Sequence, residues 1–579
     1  MIAPGGYTWS NLSRIVAGGP SPRYGGAMVW DASDGYVLLF GGASAGAVVV
    51  LSDTWSYVNG SWANLSAQVT GAPPGLAAAQ IAFDPSTHAV VMFGGEVRGG
   101  TIINLTWTYH ALHWTNLTGR TGGTPHSRIL APMVTDSTDG EIVLYGGSYN
   151  GALQSESDTW TFKNGNWTNV TLTAGTNLGT LTLPIGSDDP ADHGVIMAAL
   201  YQPTPTTVVF GDYLYSGGSW SNITAVTTGT PDLLYTGAAG YLDALNGPIF
   251  LSAAVLNQTG GTVYTFEDEL RTAGQWTNET AMTGGPPYIG LLPMVTVDRS
   301  DQTIVALGGD LVNGGAPSAL WILSAPPLVS ATANRTVVDQ GGAVAFGGSV
   351  REGASPFTYR WNFGDGTVAS AESGAHSYAR AGLFTATLTV TDLVGHNVSS
   401  SVAVQVNPPL AVTAQAAPAP ATAGQSVGLV AQTSGGTGPY TYAWNLGDGN
   451  TSSAAVATQT YAKAGNYSVS VKVTDALGAS AVASFSLVVR SSSGSSGSSS
   501  SVSLSSGTGL YLLLGIVVLA IIVLALAVLL ARRPKQPMAP PSPYSATGAP
   551  SPPPPSSVGG APPGGAPPPW TEAPPPGRS

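Results

Sequence analysis

Trp9-Ser-Asn-Leu-Ser13, Trp62-Ala-Asn-Leu-Ser66, Trp114-Thr-Asn-Leu-Thr118, Trp167-Thr-Asn-Val-Thr171, Trp220-Ser-Asn-Ile-Thr224 and Trp276-Thr-Asn-Glu-Thr280 are six copies of one phrase, Trp-x-Asn-x-Ser/Thr. The tryptophans are 53, 52, 53, 53 and 56 residues apart. Each interval reads as short strands. Between the first two copies, Tyr24–Asp31 alternates, and Asp31-Ala-Ser-Asp-Gly35 is a turn. Tyr36-Val-Leu-Leu-Phe40 is an apolar run of the kind buried on both faces. Gly41-Gly42 ends it, and a variable loop over 43–52 leads to Ser52-Asp-Thr-Trp-Ser-Tyr57. Asn59-Gly60 is a hairpin turn, since both positions tolerate positive φ. Ser61–Ser66 is then the outer strand.

A period of about 50 residues built of four strands and glycine turns predicts blades of a β-propeller. The first copy has no unit before it, and the last unit, about 288–323, has no copy of its own. We therefore expect the N-terminal strand to complete the sixth blade and close the ring, which removes free sheet edges. Units two and three repeat the pattern with Phe93-Gly-Gly95 and Tyr145-Gly-Gly147. In unit four the glycine pair is read as Gly211-Asp212, with almost no middle loop. Unit five lacks the pair around Phe250-Leu251, and unit six regains it at Gly308-Gly309. An apolar strand, Gly-Gly and then an aromatic and a Trp resembles the Kelch repeat. The period and count resemble the central propeller of the galactose oxidase family, over about 7–324. Copper radical chemistry in that family needs a cysteine crosslinked to a tyrosine. This chain has no cysteine, so the resemblance does not carry that activity.

Residues 326–490 change character. Tyr359-Arg-Trp-Asn-Phe-Gly-Asp-Gly366 recurs as Tyr442-Ala-Trp-Asn-Leu-Gly-Asp-Gly449, and Leu388-Thr-Val-Thr-Asp392 as Val471-Lys-Val-Thr-Asp475. These two modules resemble PKD domains, an immunoglobulin-like sandwich family that implies extracellular spacers or adhesive modules. The fold class expected is thus all-β: a six-bladed β-propeller and two immunoglobulin-like β-sandwiches, with one C-terminal transmembrane helix. The divisions are 1–325 propeller, 326–407 and 408–490 sandwiches, 491–509 Ser/Gly linker, 510–531 transmembrane helix and 532–579 Pro-rich tail.

The helix expectation rests on 22 uncharged residues, 510–531, enough to span about 30 Å of hydrocarbon. Arg532, Arg533 and Lys535 follow, which places the C-terminus in the cytoplasm and the remainder outside. Met1-Ile-Ala-Pro-Gly-Gly carries neither a basic nor an apolar leader segment, so a start upstream is expected, the alternatives being a fragment or the reverse orientation. Asn-x-Ser/Thr occurs at 14 asparagines, none beyond the anchor. Those in the repeated phrase, Asn11, Asn64, Asn116, Asn169, Asn222 and Asn278, are candidate glycosylation sites, or serve the strand itself.

The formal net charge is −12, and the basic residues are sparse. That argues against nucleic-acid binding. Without cysteine, disulfides and thiol chemistry are excluded. Asp31-Ala-Ser-Asp-Gly35 and Asp136-Ser-Thr-Asp-Gly140 lack the further carboxylates of calcium loops and read as turns. His110 and His113 flank a two-residue turn without a third ligand nearby in sequence. The densest ionisable group, Asp188, Asp189, Asp192 and His193, is the candidate ligand loop, read as closing a long connection over 172–190; a solvated acidic loop is the alternative. Glu267, Asp268 and Glu269 read as an exposed acidic run. No catalytic, cofactor or metal residues are assigned, and no cofactor is expected.

The function expected is a non-enzymatic recognition or adhesion head for carbohydrate, envelope polymer or a surface protein, held off the cell membrane by the two sandwiches. Its binding surface would use loops 43–51, 96–103, 148–156, 172–190 and 310–317. The Pro-rich tail is a candidate docking segment for a cytoplasmic partner. The alternatives are an extracellular polysaccharide hydrolase or lyase, and a structural envelope component.

Overall fold

The computed structural model describes residues 6–16, 18–44, 49–149, 156–175, 178, 181–204, 207–225, 239–243, 245–258, 261–283, 294–308 and 319–492. The linker beyond 492, the expected transmembrane helix and the Pro-rich tail lie outside them. Among the described residues no helix is long and apolar enough to cross a membrane.

The chain is all-β; the one helix among the described residues is the single turn Thr280–Thr283. Each repeat forms a four-stranded antiparallel sheet. Sheet one is Ala27–Asp31, Tyr36–Phe40, Thr54–Val58 and Ser61–Asn64. Sheets two to five follow in the same order within 80–116, 133–169, 181–222 and 239–278. Sheet six takes Met294–Asp298, Thr303–Leu307 and Leu320–Ser324 from the far end of the repeat region, and Thr8–Asn11 from the N-terminus. In that last pairing Trp9 faces Leu323 and Asn11 faces Trp321. The first strands neighbour one another in chain order, and that of sheet six neighbours that of sheet one.

The sequence explains how the sheets are joined. Gly41 and Gly42 have positive φ (64° and 102°), and Gly94 and Gly95 likewise (71° and 97°). The turn brings the Gly42 N–H to the Leu76 carbonyl (2.8 Å) and the Gly95 N–H to that of Arg128 (3.1 Å), each in the lead-in to the next sheet. A Cβ on Gly41 would sit 2.5 Å from the Leu76 oxygen, so the approach requires glycine. At Gly308 a Cβ would collide with the Arg23 carbonyl, the lead-in to sheet one.

The repeated phrase has a mechanical meaning. Its Trp wedges between its own sheet and the one before. Trp114 meets Phe40 edge-on at 5.2 Å and donates its indole N–H to Thr54 Oγ1 (3.3 Å). Trp167 does the same to Phe93 and Thr106, and Trp220 to Tyr145 and Thr159. The Asn turns the chain at the strand's end. In all six copies its Oδ1 accepts the backbone N–H two residues on, at 2.8–3.1 Å. The Ser or Thr hydroxyl then accepts a main-chain N–H of the third strand, as Thr118 does from Thr106 (3.0 Å). Each such bond contributes about 1 kcal/mol and spares a donor from burial unpaired.

Several sequence expectations need correction. The first strand of sheet one begins at Ala27, because Arg23–Tyr24 instead pairs with Ala43–Ser44 inside the expected loop. Gly211-Asp212 does not end the second strand of sheet four; it lies inside the third, Thr207–Ser216. Without a glycine pair nothing breaks the ladder, so Gly194–Thr204 and Thr207–Ser216 run on as a long hairpin, as do Gly247–Gln258 and Gly261–Thr272 in sheet five.

Two sandwiches follow, each a three-stranded sheet against a five-stranded one. In the first, Leu328–Ala333, Ala343–Arg351 and Ser373–Ser377 face a sheet containing Thr358–Asn362, Gly382–Thr391 and Asn397–Asn407. The second, from Ala411 to Arg490, repeats this. Trp361 and Trp444 fill the two cores. The Gly-Asp-Gly turns start with Gly364 and Gly447 at φ +83° and +81°, where a Cβ would lie within 2.7 Å of a neighbouring carbonyl.

The first sandwich is seated on the end of the repeat region that carries its tight turns. Ser355 donates its N–H (2.9 Å) and its hydroxyl (2.5 Å) to Asp301 Oδ2, in the first turn of sheet six. Leu393 and Pro356 close on Gly60, in the last turn of sheet one. Ala354 is buried with Leu12, Tyr57, Trp62 and Leu320, in the core between sheets six and one.

Candidate functional site

The candidate residues Asp188, Asp189, Asp192 and His193 do not form an exposed interblade loop. Asp188 and Asp189 end the first strand of sheet four, Leu181–Asp189, and both are buried. Asp192 and His193 belong to the tight turn into the second strand, at the opposite end of the sheet from the connection where they were expected. His193 is exposed with φ 59°, and its carbonyl accepts the Ser216 hydroxyl (2.6 Å). The candidate ligand loop and its alternative, a solvated acidic loop, both took these carboxylates as free, whereas all three are paired.

Their partners are arginines distant in sequence. Arg271, 1% exposed, donates to Asp189 (3.1 Å), to Asp192 and to Asp212 (3.3 Å). Trp276 also donates to Asp212 (3.2 Å), whose other carboxylate oxygen is buried without a partner. One cation thus serves three carboxylates. Burial, reinforced by Asp192, pushes the Asp189 carboxyl up to about 6. Burial also raises Asp212, against the pull of Arg271 and Trp276. Asp188 points elsewhere. Its Oδ1 accepts the N–H (3.1 Å) and hydroxyl (3.0 Å) of Ser137 from sheet three, and its Oδ2 accepts from Arg299 of sheet six (3.2 Å).

Two further buried arginines were missed. Arg23 forks onto Asp53 (2.7 and 2.8 Å) and donates to the Gly41 carbonyl (2.9 Å); Trp55 donates to the same carboxylate (2.6 Å). Arg128, Asp158, Gly146 and Trp160 repeat the arrangement two periods later. Burial would raise both aspartates, but the arginine and indole bonds hold them below the ordinary range. The recurrence of Asp-Thr-Trp at 53–55 and 158–160 was the available signal.

The expected turns behave as turns. Asp31 Oδ1 accepts the Ser33 N–H (3.0 Å) and Asp136 Oδ1 those of Thr138 and Asp139 (3.0 Å each). His110 and His113 face each other across their hairpin, and His113 Nδ1 lies 2.6 Å from Thr70 Oγ1. Among the described residues no group of three or more His, Asp or Glu could hold a metal ion. Glu269 is buried at 3%, which corrects the expected exposed run; the side chains of Glu267 and Asp268 lie outside those described. The candidate asparagines in the repeated phrase are all exposed.

Between the first strands of the six sheets lies a cavity of about 490 Å³. Its walls include Met28, Ile81, Met133, Ile185, Tyr241 and Val295, one from each sheet. It reaches the turn end at Ala32, Pro85 and Ser137, where Arg299 and Asp188 also line it.

The PKD-domain family model matches residues 324–407 and again 406–490. Residues 324–490 are two tandem PKD domains. Among solved structures, the PKD1 domain of Vibrio anguillarum Epp is 27% identical over 14% of this chain and 95% of its own, with a TM-score of 0.13. The fibronectin(III)-like modules of Clostridium thermocellum CbhA are 16% identical over 30% of this chain and 100% of theirs, at 0.18. The full ectodomain of mouse nectin-like molecule 4 is 14% identical over 42% of this chain and 82% of its own, at 0.21. No curated protein matches the chain.

Proposed function

We propose that the six sheets form a Kelch-type six-bladed β-propeller, and that it is the non-enzymatic recognition head of a single-pass cell-surface protein. The propeller reading is supported by the pairing of Thr8–Asn11 with Leu320–Ser324 and by the succession of first strands from sheet one through six and back to one. The tandem PKD domains support the extracellular reading, since modules of this kind serve as spacers and adhesive units. The 510–531 segment would anchor the chain, with 532–579 as a cytoplasmic tail open to a partner.

The observation that carries the recognition reading is the seat of the first PKD domain. It occupies the turn end through Ser355, Asp301 and Gly60. The loop end, with the Glu96–Val97 and Thr101–Ile102 hairpin, points the other way and is left for a ligand. Carbohydrate, envelope polymer or another surface protein is the class of partner. The buried carboxylates favour a non-enzymatic role, because Asp189, Asp192 and Asp212 are committed to Arg271 and Asp188 to Arg299.

The test is a glycan and envelope-polymer binding screen of residues 1–492, with and without replacement of 172–180 by Gly/Ser. Replacing all of 172–190 would remove the first strand of sheet four. Saturable binding that depends on the loop supports the recognition head. Cleavage of a bound polymer replaces it with the enzyme reading, and lateral arrays that bind nothing replace it with a structural one.

A further inference from the structure

We infer that the joint between the two PKD domains is a proton-operated catch, closed while Asp339 and Asp475 hold one proton between them and loosened when both are ionised. The two carboxyls come from different domains and converge on one residue. Asp339 ends the short strand Val337–Asp339 of the first domain, and Asp475 opens the turn after Gly465–Thr474 of the second. Thr437, of the second domain, donates its hydroxyl to Asp339 Oδ1 (2.7 Å) and its N–H to Asp475 Oδ2 (3.0 Å). Asn407, at the end of the first domain, donates to the same hydroxyl (2.9 Å). Asp475 is buried and Asp339 half-buried.

The corresponding place in the first domain is built differently. There Ala354 stands where Thr437 stands in the second. Its N–H points to Asp392 (3.4 Å), and its carbonyl accepts the Leu393 N–H (2.8 Å) as that of Thr437 accepts the Ala476 N–H (2.8 Å). Asp392 is then met by His396 (2.9 Å), whose place in the second domain is taken by Ala479. Among the described residues neither Asp339 nor Asp475 is in an ion pair. In place of a histidine, Asp475 has a second carboxyl, because Asp339 lies within hydrogen-bond reach of it. Two ionised carboxylates only accept, so a bond between them requires that one carry a proton.

The surroundings put that proton on Asp339. Burial raises Asp339, and the Asp475 carboxylate raises it further against the pull of the Thr437 hydroxyl. Burial would raise Asp475 as well, but the N–H groups of Thr437, Ala479 and Leu477, together with Asp339, hold it below the ordinary range. The hydroxyls of Tyr378 and Tyr440, on the segments packed against the pair, donate to the Phe363 (3.2 Å) and Gly435 (2.8 Å) carbonyls and take no part. The contribution of Asp339 is fully present below the ordinary carboxyl pKa and is lost as pH rises through its raised value. That of Asp475 is lost only in stronger acid, as pH falls through its lowered value. The catch is closed between the two. The linker is only Pro408-Pro409-Leu410, and the Pro408 carbonyl accepts the Gly436 N–H (2.8 Å). Release therefore widens the range of angles between the domains without parting them.

The chain has no cysteine. Leu383→Cys and Val482→Cys, at side chains 71% and 64% exposed, thus place one spin label in each domain of the full chain in lipid nanodiscs. Double electron–electron resonance should give a narrow distance distribution at about pH 4.5 and one about twice as wide at about pH 7.5. Asp339→Asn keeps an oxygen for Thr437 and supplies an N–H to Asp475, so it should stay narrow at both. Asp339→Ala should be wide at both. A parent distribution that is the same at the two pH values overturns the catch, and that result needs no variant. A parent that widens while Asp339→Asn widens equally overturns it too, since the response would then belong to other groups.

Discussion

Arg271 and Asp212 meet in the seam between sheets four and five, at 3.3 Å, each in a place where the first three units put something uncharged. Five residues before the repeated Trp stand Tyr57, Tyr109, Phe162 and Tyr215, and then Arg271. Eight before it stand Thr54, Thr106 and Thr159, and then Asp212 and Asp268. The two departures face each other, so one seam is held by charge where its neighbours are held by rings and hydroxyls.

Arg271→Met should therefore cost about 3–5 kcal/mol, because it strands Asp189 and Asp212 without a cation. Adding Asp212→Thr should recover part of the loss. Denaturant unfolding of the single and double variants measures both. A single variant as stable as the parent would show that the seam does not depend on the ion cluster.

Stability should depend on pH in a definite direction. Asp189 and Asp31 have carboxyls raised to about 6, chiefly by burial. A raised group favours the folded state fully below its ordinary pKa, and that contribution is lost as pH rises through 6. Asp53 and Asp158, held low by Arg23 and Arg128, work in the opposite sense; their contribution is lost as pH falls below the ordinary range. The melting temperature should peak at about pH 4–5. Asp189→Asn with Asp31→Asn should flatten the alkaline side of the curve, and an unchanged profile would refute the assignment.

The candidate glycosylation asparagines have a structural duty that can be separated from any glycan. Asn116→Ala should cost about 1 kcal/mol, because the Thr118 N–H loses its acceptor. Asn116→Asp keeps the acceptor and abolishes the acceptor sequence for a glycan, so its stability should match the parent within about 0.5 kcal/mol. Thr118→Val should cost about 1–3 kcal/mol, since it leaves the Thr106 N–H unpaired. Thermal unfolding of the three variants decides the order.

The two PKD domains should respond unequally to loss of their core tryptophans. Each Trp→Ala change should cost about 3–5 kcal/mol within its own sandwich. Trp361→Ala should also lower the melting temperature of the six-sheet region, because Ala354 of the same domain is buried between sheets six and one. Trp444→Ala should leave that region unchanged. Limited proteolysis with mass spectrometry distinguishes the two, and equal effects would mean that the seat of the first domain contributes no stability.

The repeat period, the strand order within the first three units and the PKD modules were legible in the sequence because they rest on local signals: Asn-Gly turns, Gly pairs with positive φ and apolar runs. The reading failed where the signal was long-range. Asp189 and Asp192 could not be recognised as paired because their cation lies some eighty residues on, at |i−j| of 82 and 79. Gly211-Asp212 was misplaced because a glycine beside a buried acid was taken for a broken Gly-Gly turn. Yet Arg271 at a position otherwise aromatic was visible once the units were aligned on their tryptophans. Departures from a repeat were better guides to the charged seam than local density of charge.

The pairing of Thr8–Asn11 with Leu320–Ser324 sets an order in time. The hydroxyl of Ser13 receives the N–H of Leu320 across 307 residues of chain. Of the strands in the six sheets, the one that comes earliest in the chain is paired last, because the other three strands of sheet six follow sheets one to five in sequence. Loop closure over that span must be completed before its contacts are gained. Until then the polypeptide has an open sheet edge at either end, and a ribosome stalled before residue 320 would hold an aggregation-prone intermediate rather than a smaller folded protein.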